Sequence, residues 1–204
     1  MIYVDDIVLY SDSVISTGPL FSSLVQNFDD LAVGSSLHDV DGWEGWFGDP
    51  NVGGLVTDAV AYSGTNSLEI AGDRDDLVPN WRIQTDGKWT LTVMQYVPTA
   101  SVGTMDFGVM SAYNPGDEWL GSIITNCDTS EVSLDELEPV VLIRDQWTEL
   151  KIVMDFPNDL CEFYYNGLLL GETACPSSRA VDIWPAGNAG TIVYYDDFKL
   201  EPEL

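Results

Sequence analysis

The sequence predicts an all-β fold, a two-sheet antiparallel β-sandwich, and three observations carry that expectation. Short runs of alternating apolar and polar residues recur along the chain, separated by Gly, Pro, Asn and Asp turns at roughly 8–12-residue intervals. No long stretch sustains the roughly 3.6-residue apolar period of an amphipathic helix. The third is the segment from Trp147 to Gly171, WTELKIVMDFPNDLCEFYYNGLLLG, which reads as an antiparallel pair followed by a tight hairpin. Leu150, Ile152 and Met154 share one face of its first strand, and Phe163, Tyr165 and Leu168 follow after a short break. Asn166-Gly167 supplies the two positive-φ positions that a two-residue hairpin needs.

Taken in order, the chain opens on an oddity. Ile2-Tyr-Val-Asp-Asp-Ile-Val-Leu9 closely resembles Ile192-Val-Tyr-Tyr-Asp-Asp-Phe-Lys-Leu200, so one strand motif stands at both ends of the sequence. Residues 1–15 are therefore expected to be the terminal strand of a preceding repeat, or a donor strand for a neighbouring copy through Ile2, Tyr3, Val4, Ile7 and Leu9. Residues 16–23 read as a Gly/Pro linker, 24–200 as the domain and 201–204 as a tail.

Within the domain, strands are expected at Leu24 to Phe28, Ser67 to Ile70, Trp89 to Val97, Thr104 to Ser111 (interrupted by Gly108), and Trp119 to Thr125. The 147–171 hairpin, Val181 to Trp184 and the closing strand Thr191 to Leu200 follow. Glu131 to Glu138 is a polar segment that reads as a short strand or a helical turn, and Asp73 to Asp76 is an acidic turn before Leu77. About 11 to 13 strands result, more than an immunoglobulin domain has and suited to a jelly roll.

Composition narrows the partners. With 34 acidic and 7 basic residues the formal net charge is −27, a field that repels phosphate backbones and anionic membrane surfaces. It favours cations, basic partners or a salty medium. No segment is long and apolar enough to span a membrane, and MIYVDDIVLY lacks the basic start of a signal peptide. The single histidine, His38, leaves little room for triad or zinc chemistry. Three cysteines, Cys127, Cys161 and Cys175, leave at least one unpaired within the chain. A Cys161–Cys175 bridge across the hairpin needs an offset or a bulge, because simple pairing puts Cys161 beside Glu172.

Several motifs carry a family resemblance. A Trp opening a strand, an acidic turn and then aromatic-Asn-Gly, as in residues 147–167, resembles the laminin-G and concanavalin A-like jelly rolls. Phe28-Asp-Asp30 followed by Asp41-Gly-Trp43-Glu-Gly-Trp46, and the turn Ser63-Gly-Thr-Asn-Ser-Leu68, are similar to carbohydrate-binding modules. That resemblance implies a calcium site built from Asp29 or Asp30, Ser63 and Asn66, and Asp196 or Asp197, which suits an ion that takes six to eight hard oxygens. It also implies sugar binding by exposed aromatic rings. Trp43, Trp46, Trp81, Tyr113 and Trp119 are the candidates, each in or beside a polar loop, whereas Trp89 and Trp147 open apolar strands and are expected in the core.

Glucanases on this fold carry Glu-x-Asp-x-x-Glu on one strand, so that the acids face one cleft. The nearest stretch here is Glu131 to Glu138, where Glu136 and Glu138 share a face but the triplet spacing is wrong, so no catalytic residue is assigned. The functional expectation is a non-catalytic, calcium-stabilised, extracellular or cell-surface module that binds a polysaccharide or other glycan. The alternatives are a structural or adhesive subunit of a fibre, assembled by adding residues 1–15 to neighbouring copies, and a polysaccharide-degrading enzyme.

Overall fold

The computed structural model of the protein describes residues 24–203 except 115, 187 and 188. The assembly positions Ile2, Tyr3, Val4, Ile7 and Leu9, and the 16–23 linker, lie outside the described residues. Alternation of apolar and polar side chains dictates strands, and strands are what form: fifteen among the described residues, numbered β1 to β15 in chain order.

The larger sheet contains β1 (Leu24–Gln26), β3 (Leu55–Thr57), β4 (Ser67–Ala71), β6 (Lys88–Tyr96), β11 (Trp147–Asp155), β12 (Leu160–Tyr165), β13 (Leu168–Thr173) and β15 (Ile192–Pro202). Its order is β13-β12-β11-β6-β15-β4-β3, with β1 also paired to β15. The smaller sheet contains β2 (Trp43–Gly45), β5 (Leu77–Gln84), β7 (Thr104–Ala112), β8 (Glu118–Asn126), β9 (Glu131–Leu134), β10 (Val140–Val141) and β14 (Ser178–Pro185), in the order β10-β9-β8-β7-β14-β5-β2. Every strand pair in both sheets is antiparallel. This is the expected two-sheet sandwich, with more strands than the sequence suggested because β2, β3, β5 and β10 are short or masked by loop-like residues.

The core fills the space between the sheets. Leu91 and Val93 of β6, Leu150, Ile152 and Met154 of β11, and Phe163 and Tyr165 of β12 are buried from the larger sheet. Phe107 and Val109 of β7, Ile123 of β8 and Val181 and Ile183 of β14 meet them from the smaller one. At one end Phe28, Trp43 and Phe198 pack edge to face, with centroids 4.9–6.1 Å apart. One polar group crosses the interior: Gln95 Nε2 donates to Tyr195 Oη at 3.1 Å and to Thr125 Oγ1 at 3.3 Å, so its amide is satisfied where water is absent.

The 147–171 hairpin forms as expected. Asn166 and Gly167 take φ of 47° and 75°, and β11 pairs with β12 in unbroken register. Leu168, however, is 57% exposed, because the turn hands it to the edge strand β13. Cys161 and Cys175 form a disulfide with Cα atoms 5.2 Å apart. The offset it requires comes from a bulge at Phe163/Tyr164, which places Cys161 opposite Thr173 rather than Glu172.

Trp147 is a correction. Thr148, Leu150 and Ile152 point inward, so alternation turns Trp147 to the outer face of the larger sheet, where its ring meets Tyr96 and Tyr62 at 5.5 and 6.0 Å. Trp89 does pack against the core. Glu136 and Glu138 follow the end of β9 in a turn begun by Asp135 at φ 46°, so they do not share a strand face.

Candidate functional site

The outer face of the smaller sheet carries an unusual set of residues for a solvent-facing surface. On β7, Met105, Phe107 and Val109 point into the core, which leaves Asp106, Gly108 and Met110 facing out. On β14, Val181 and Ile183 point in, and Ala180, Asp182 and Trp184 face out, opposite Met110, Gly108 and Asp106 respectively. Bulges in the β7–β8 pairing bring Trp119 opposite Met110, and Ser122 lies opposite Gly108. Asp106, Gly108, Trp119, Ser122, Asp182 and Trp184 thereby line a groove of about 210 Å³.

Gly108 is the position that makes this arrangement fit. A Cβ there would lie 2.8 Å from Trp119 Cδ1 and 2.8 Å from Ser122 Oγ, so only glycine lets the Trp119 ring lie against the β7 backbone. Trp119 is 46% and Trp184 42% exposed, so two indole rings stand in solvent beside a polar floor. Trp119 stacks on half-buried Trp46 at 5.8 Å and 19°. Behind them Tyr113 is buried and its Oη accepts the Phe47 amide at 2.9 Å. Phe47 has φ 53°, a left-handed conformation that costs a bulky residue about 1–2 kcal/mol, and its ring is 54% exposed.

The floor is acidic. Trp119 Nε1 donates to Asp182 Oδ2 at 3.3 Å, while Asp182 Oδ1 and Asp76 Oδ1 are buried with no donor other than a proton shared between the two carboxyls. Burial pushes the Asp182 carboxyl well above the usual range, and the neighbouring Asp76 charge adds to the rise. Burial also raises Asp76, which accepts the proton that the deeper Asp182 holds. Asp106 is pushed up to about 6 by burial and then by the charge of Asp135. Next to this cluster Asn80 Nδ2 donates to Glu44 Oε1 at 3.2 Å. Asp135 leads on to a second, larger groove of about 630 Å³ between the β9 turn and β13, lined also by Ile124, Leu134, Glu136, Leu137, Glu172 and Thr173.

Of the five aromatic candidates, the structure leaves two near this surface. Trp119 is exposed and Trp46 half-buried beneath it. Trp43, Trp81 and Tyr113 are corrections: at 1%, 0% and 2% exposure they offer no ring face to a sugar. Trp43 and Trp81 sit on β2 and β5, whose inward positions they fill, and Tyr113 closes over Met110 and Val78. Two residues were missed. Trp184 hides between Ile183 and Pro185 in an apolar run, and its signal is the alternation Ala180, Asp182, Trp184 against Val181 and Ile183. Phe47 carries no sequence signal for its left-handed backbone.

The six candidate calcium ligands do come together in part, at the end of the larger sheet. Asp29 Oδ1 accepts the amides of Thr65 and Asn66 at 2.7 and 3.0 Å, which holds its carboxyl below the usual range. Asp196 Oδ2 accepts the amides of Tyr62 and Ser63 at 2.8 and 3.1 Å, and its Oδ1 that of Asp197 at 2.8 Å. Ser63 Oγ donates to Asp197 Oδ1 at 2.6 Å, and Asn66 Nδ2 donates to the Phe28 and Leu31 carbonyls. Asp30 is exposed. The carboxylates of Asp29 and Asp196 thus face N–H groups, and among the described residues no three His, Cys, Asp or Glu side chains converge in a metal-binding group. Through these hydrogen bonds the residues fasten the 62–66 turn to β15 and to the segment after β1. His38 also serves the backbone, with Nδ1 accepting the Gly45 amide at 3.2 Å.

No family model and no curated protein matches the sequence. Among solved structures, the cellulose induced protein Cip1 aligns with 87% of this chain and 96% of its own, at TM-score 0.60 and 16% identity. The chain shares that protein's fold, a two-sheet antiparallel β-sandwich. A sialidase matches 88% of the jelly roll at TM-score 0.59 and 9% identity, and the chain spans 18% of that sialidase. The binding domain of Paraclostridial Mosquitocidal Protein 1 matches 88% of it at TM-score 0.53 and 10% identity, with 48% of that chain covered. At these identities the likeness shows the fold. Among the described residues no helix is long and apolar enough to cross a membrane.

Proposed function

We propose that the jelly roll is a non-catalytic carbohydrate-binding module, extracellular or at the cell surface, that takes a glycan chain along the outer face of its smaller sheet. The observation that carries this reading is the pair of exposed indoles, Trp119 and Trp184, flanking a groove with a polar floor. Indole faces stack on the apolar C–H faces of pyranose rings, and the floor supplies acceptors that fix hydroxyl or amine donors. The fold it shares with Cip1 and the mosquitocidal binding domain supports the reading, and the Cys161–Cys175 disulfide supports an oxidising compartment.

Affinity electrophoresis against a panel of soluble polysaccharides tests it. Trp119→Ala and Trp184→Ala are expected to keep the fold, because both rings are exposed, and to weaken retardation by about tenfold or more. Retardation by no polysaccharide, or by the variants as by the parent, overturns the proposal.

Two observations favour other readings. The raised carboxyls of Asp106 and Asp182 are what a general acid requires, so an enzyme on this face would use them. Polysaccharide cleavage by the parent that is lost in Asp182→Asn would establish that reading over simple binding. The likeness of residues 2–9 to 192–200 favours self-association through the N-terminal segment. Light scattering of the intact chain against one lacking residues 1–15 decides it: assemblies that vanish with the deletion support strand addition, and two monomers exclude it.

A further inference from the structure

We infer that the groove selects a cationic amino sugar, a polysaccharide whose units carry a free protonated amine; this rests on the glycan-binding reading above. The argument begins with what the floor lacks. Asp106 and Asp182 line the groove, Asp76 abuts Asp182 and Asp135 acts on Asp106, so four carboxyls bear on one patch. Among the described residues no basic side chain lines the groove, and Arg179 on β14 is not among those that form it. Asp182 is only 8% exposed, lines the groove, and has one oxygen with no donor beyond a proton shared with Asp76 and one with a single indole donor. A buried carboxyl with an unmet acceptor needs a donor, and a cluster of them needs positive charge.

Among the described residues no basic group supplies that charge at the groove. The chain as a whole carries −27, which adds a long-range field of the same sign. In the free protein protons are held there instead, as the raised carboxyls of Asp76, Asp106 and Asp182 indicate. An ammonium on the ligand replaces them with three N–H donors on one atom, and the indoles that line the groove add cation–π attraction. A uronic acid is the opposite case, since its carboxylate would enter a patch that cannot discharge its own. A neutral sugar can donate hydroxyl hydrogens but leaves the repulsion among the acids in place. The two indoles argue for a pyranose over a lysine-rich peptide, because two exposed aromatic rings line the same groove as the acids.

Isothermal titration calorimetry at about pH 6 and about 0.15 M salt separates these ligands. The probes are the β-1,4 hexamers of glucosamine, N-acetylglucosamine and glucose, with a lysine hexamer as the basic peptide. The glucosamine hexamer is expected to bind at least about tenfold more tightly than the other three. Trp184→Ala should weaken its binding by a similar factor, and so should the near-isosteric Asp106→Asn/Asp182→Asn double variant. If the neutral hexamers bind as tightly and with the same Trp184 dependence, the groove remains a glycan site and the amino-sugar inference is overturned. If the lysine hexamer matches the glucosamine hexamer in both affinity and Trp184 dependence, the site is one for basic peptides and the inference falls. If no sugar binds, or binding ignores Trp119 and Trp184, the glycan reading itself fails. If the glucosamine hexamer binds equally well to the double variant, general attraction to an acidic protein is all that is being measured, and the inference is again overturned.

Discussion

Asp182 is the residue on which the chemistry of the outer face turns. Its carboxyl is pushed up to about 8, and those of Asp76 and Asp106 to about 6, mainly by burial. The folded chain therefore holds protons that the unfolded chain has released, so stability falls as pH rises from about 4 to about 8. Asp182→Asn removes the largest share of that loss. Its expected effect is a higher melting temperature at pH 8, equivalent to something on the order of 2 kcal/mol, with a flatter profile across that window. Parallel profiles for variant and parent would show that the pair does not titrate there.

Asp196 makes the reverse case. It is fully buried and accepts three amides, so Asp196→Ala leaves those donors orphaned and is expected to cost about 2–4 kcal/mol. Melts run with calcium and with chelator should shift equally. A loss seen only with calcium would restore an ion to this corner. The structure brings Asp29 to Asn66 and Asp196 to Ser63, but residue types alone do not say whether a carboxylate faces an N–H or a cation.

Elements differ in how plainly the sequence writes them. β11, β12 and their turn were legible because alternation is unbroken and Asn166-Gly167 fixes the register locally. β5 was not, since Pro79 and Asn80 interrupt a strand that nonetheless pairs with β2 and β14 and carries Trp81 into the core. A proline there is tolerated because it stands opposite the three-residue edge strand β2. β7 shows why an apparent interruption can be functional: Gly108 does not break the strand but clears room for Trp119. Gly108→Ala is expected to displace the indole, lower stability by about 1 kcal/mol, and weaken glycan retention severalfold. Retention equal to the parent would mean that Trp119 does not contact the ligand.

For the whole molecule, the disulfide and the sheets can be weighed against each other. The bridge closes a short loop at the β12–β13 edge, with a sequence separation of 14. Replacing both cysteines by serine is expected to lower stability by about 3 kcal/mol in a denaturant titration, and to leave the groove on the other sheet intact. If ligand retention falls with stability, the two sheets are coupled more tightly than their separate roles suggest. Fold class was readable because it depends on period and turn chemistry summed over many residues. The binding face was not, because it depends on which of two faces each strand turns outward, and one residue of register reverses that choice.

β15 pairs with β1, the first described strand. Leu24 lies opposite Leu200 and Gln26 opposite Phe198, so the two run antiparallel with the start of β1 beside the end of β15. A tether pulling on both chains would therefore load this contact as a zipper, opening hydrogen bonds one after another instead of shearing them together. Mechanical load would release β1 long before it reached the packed sheets, and the indole groove would stay formed on a module held under tension.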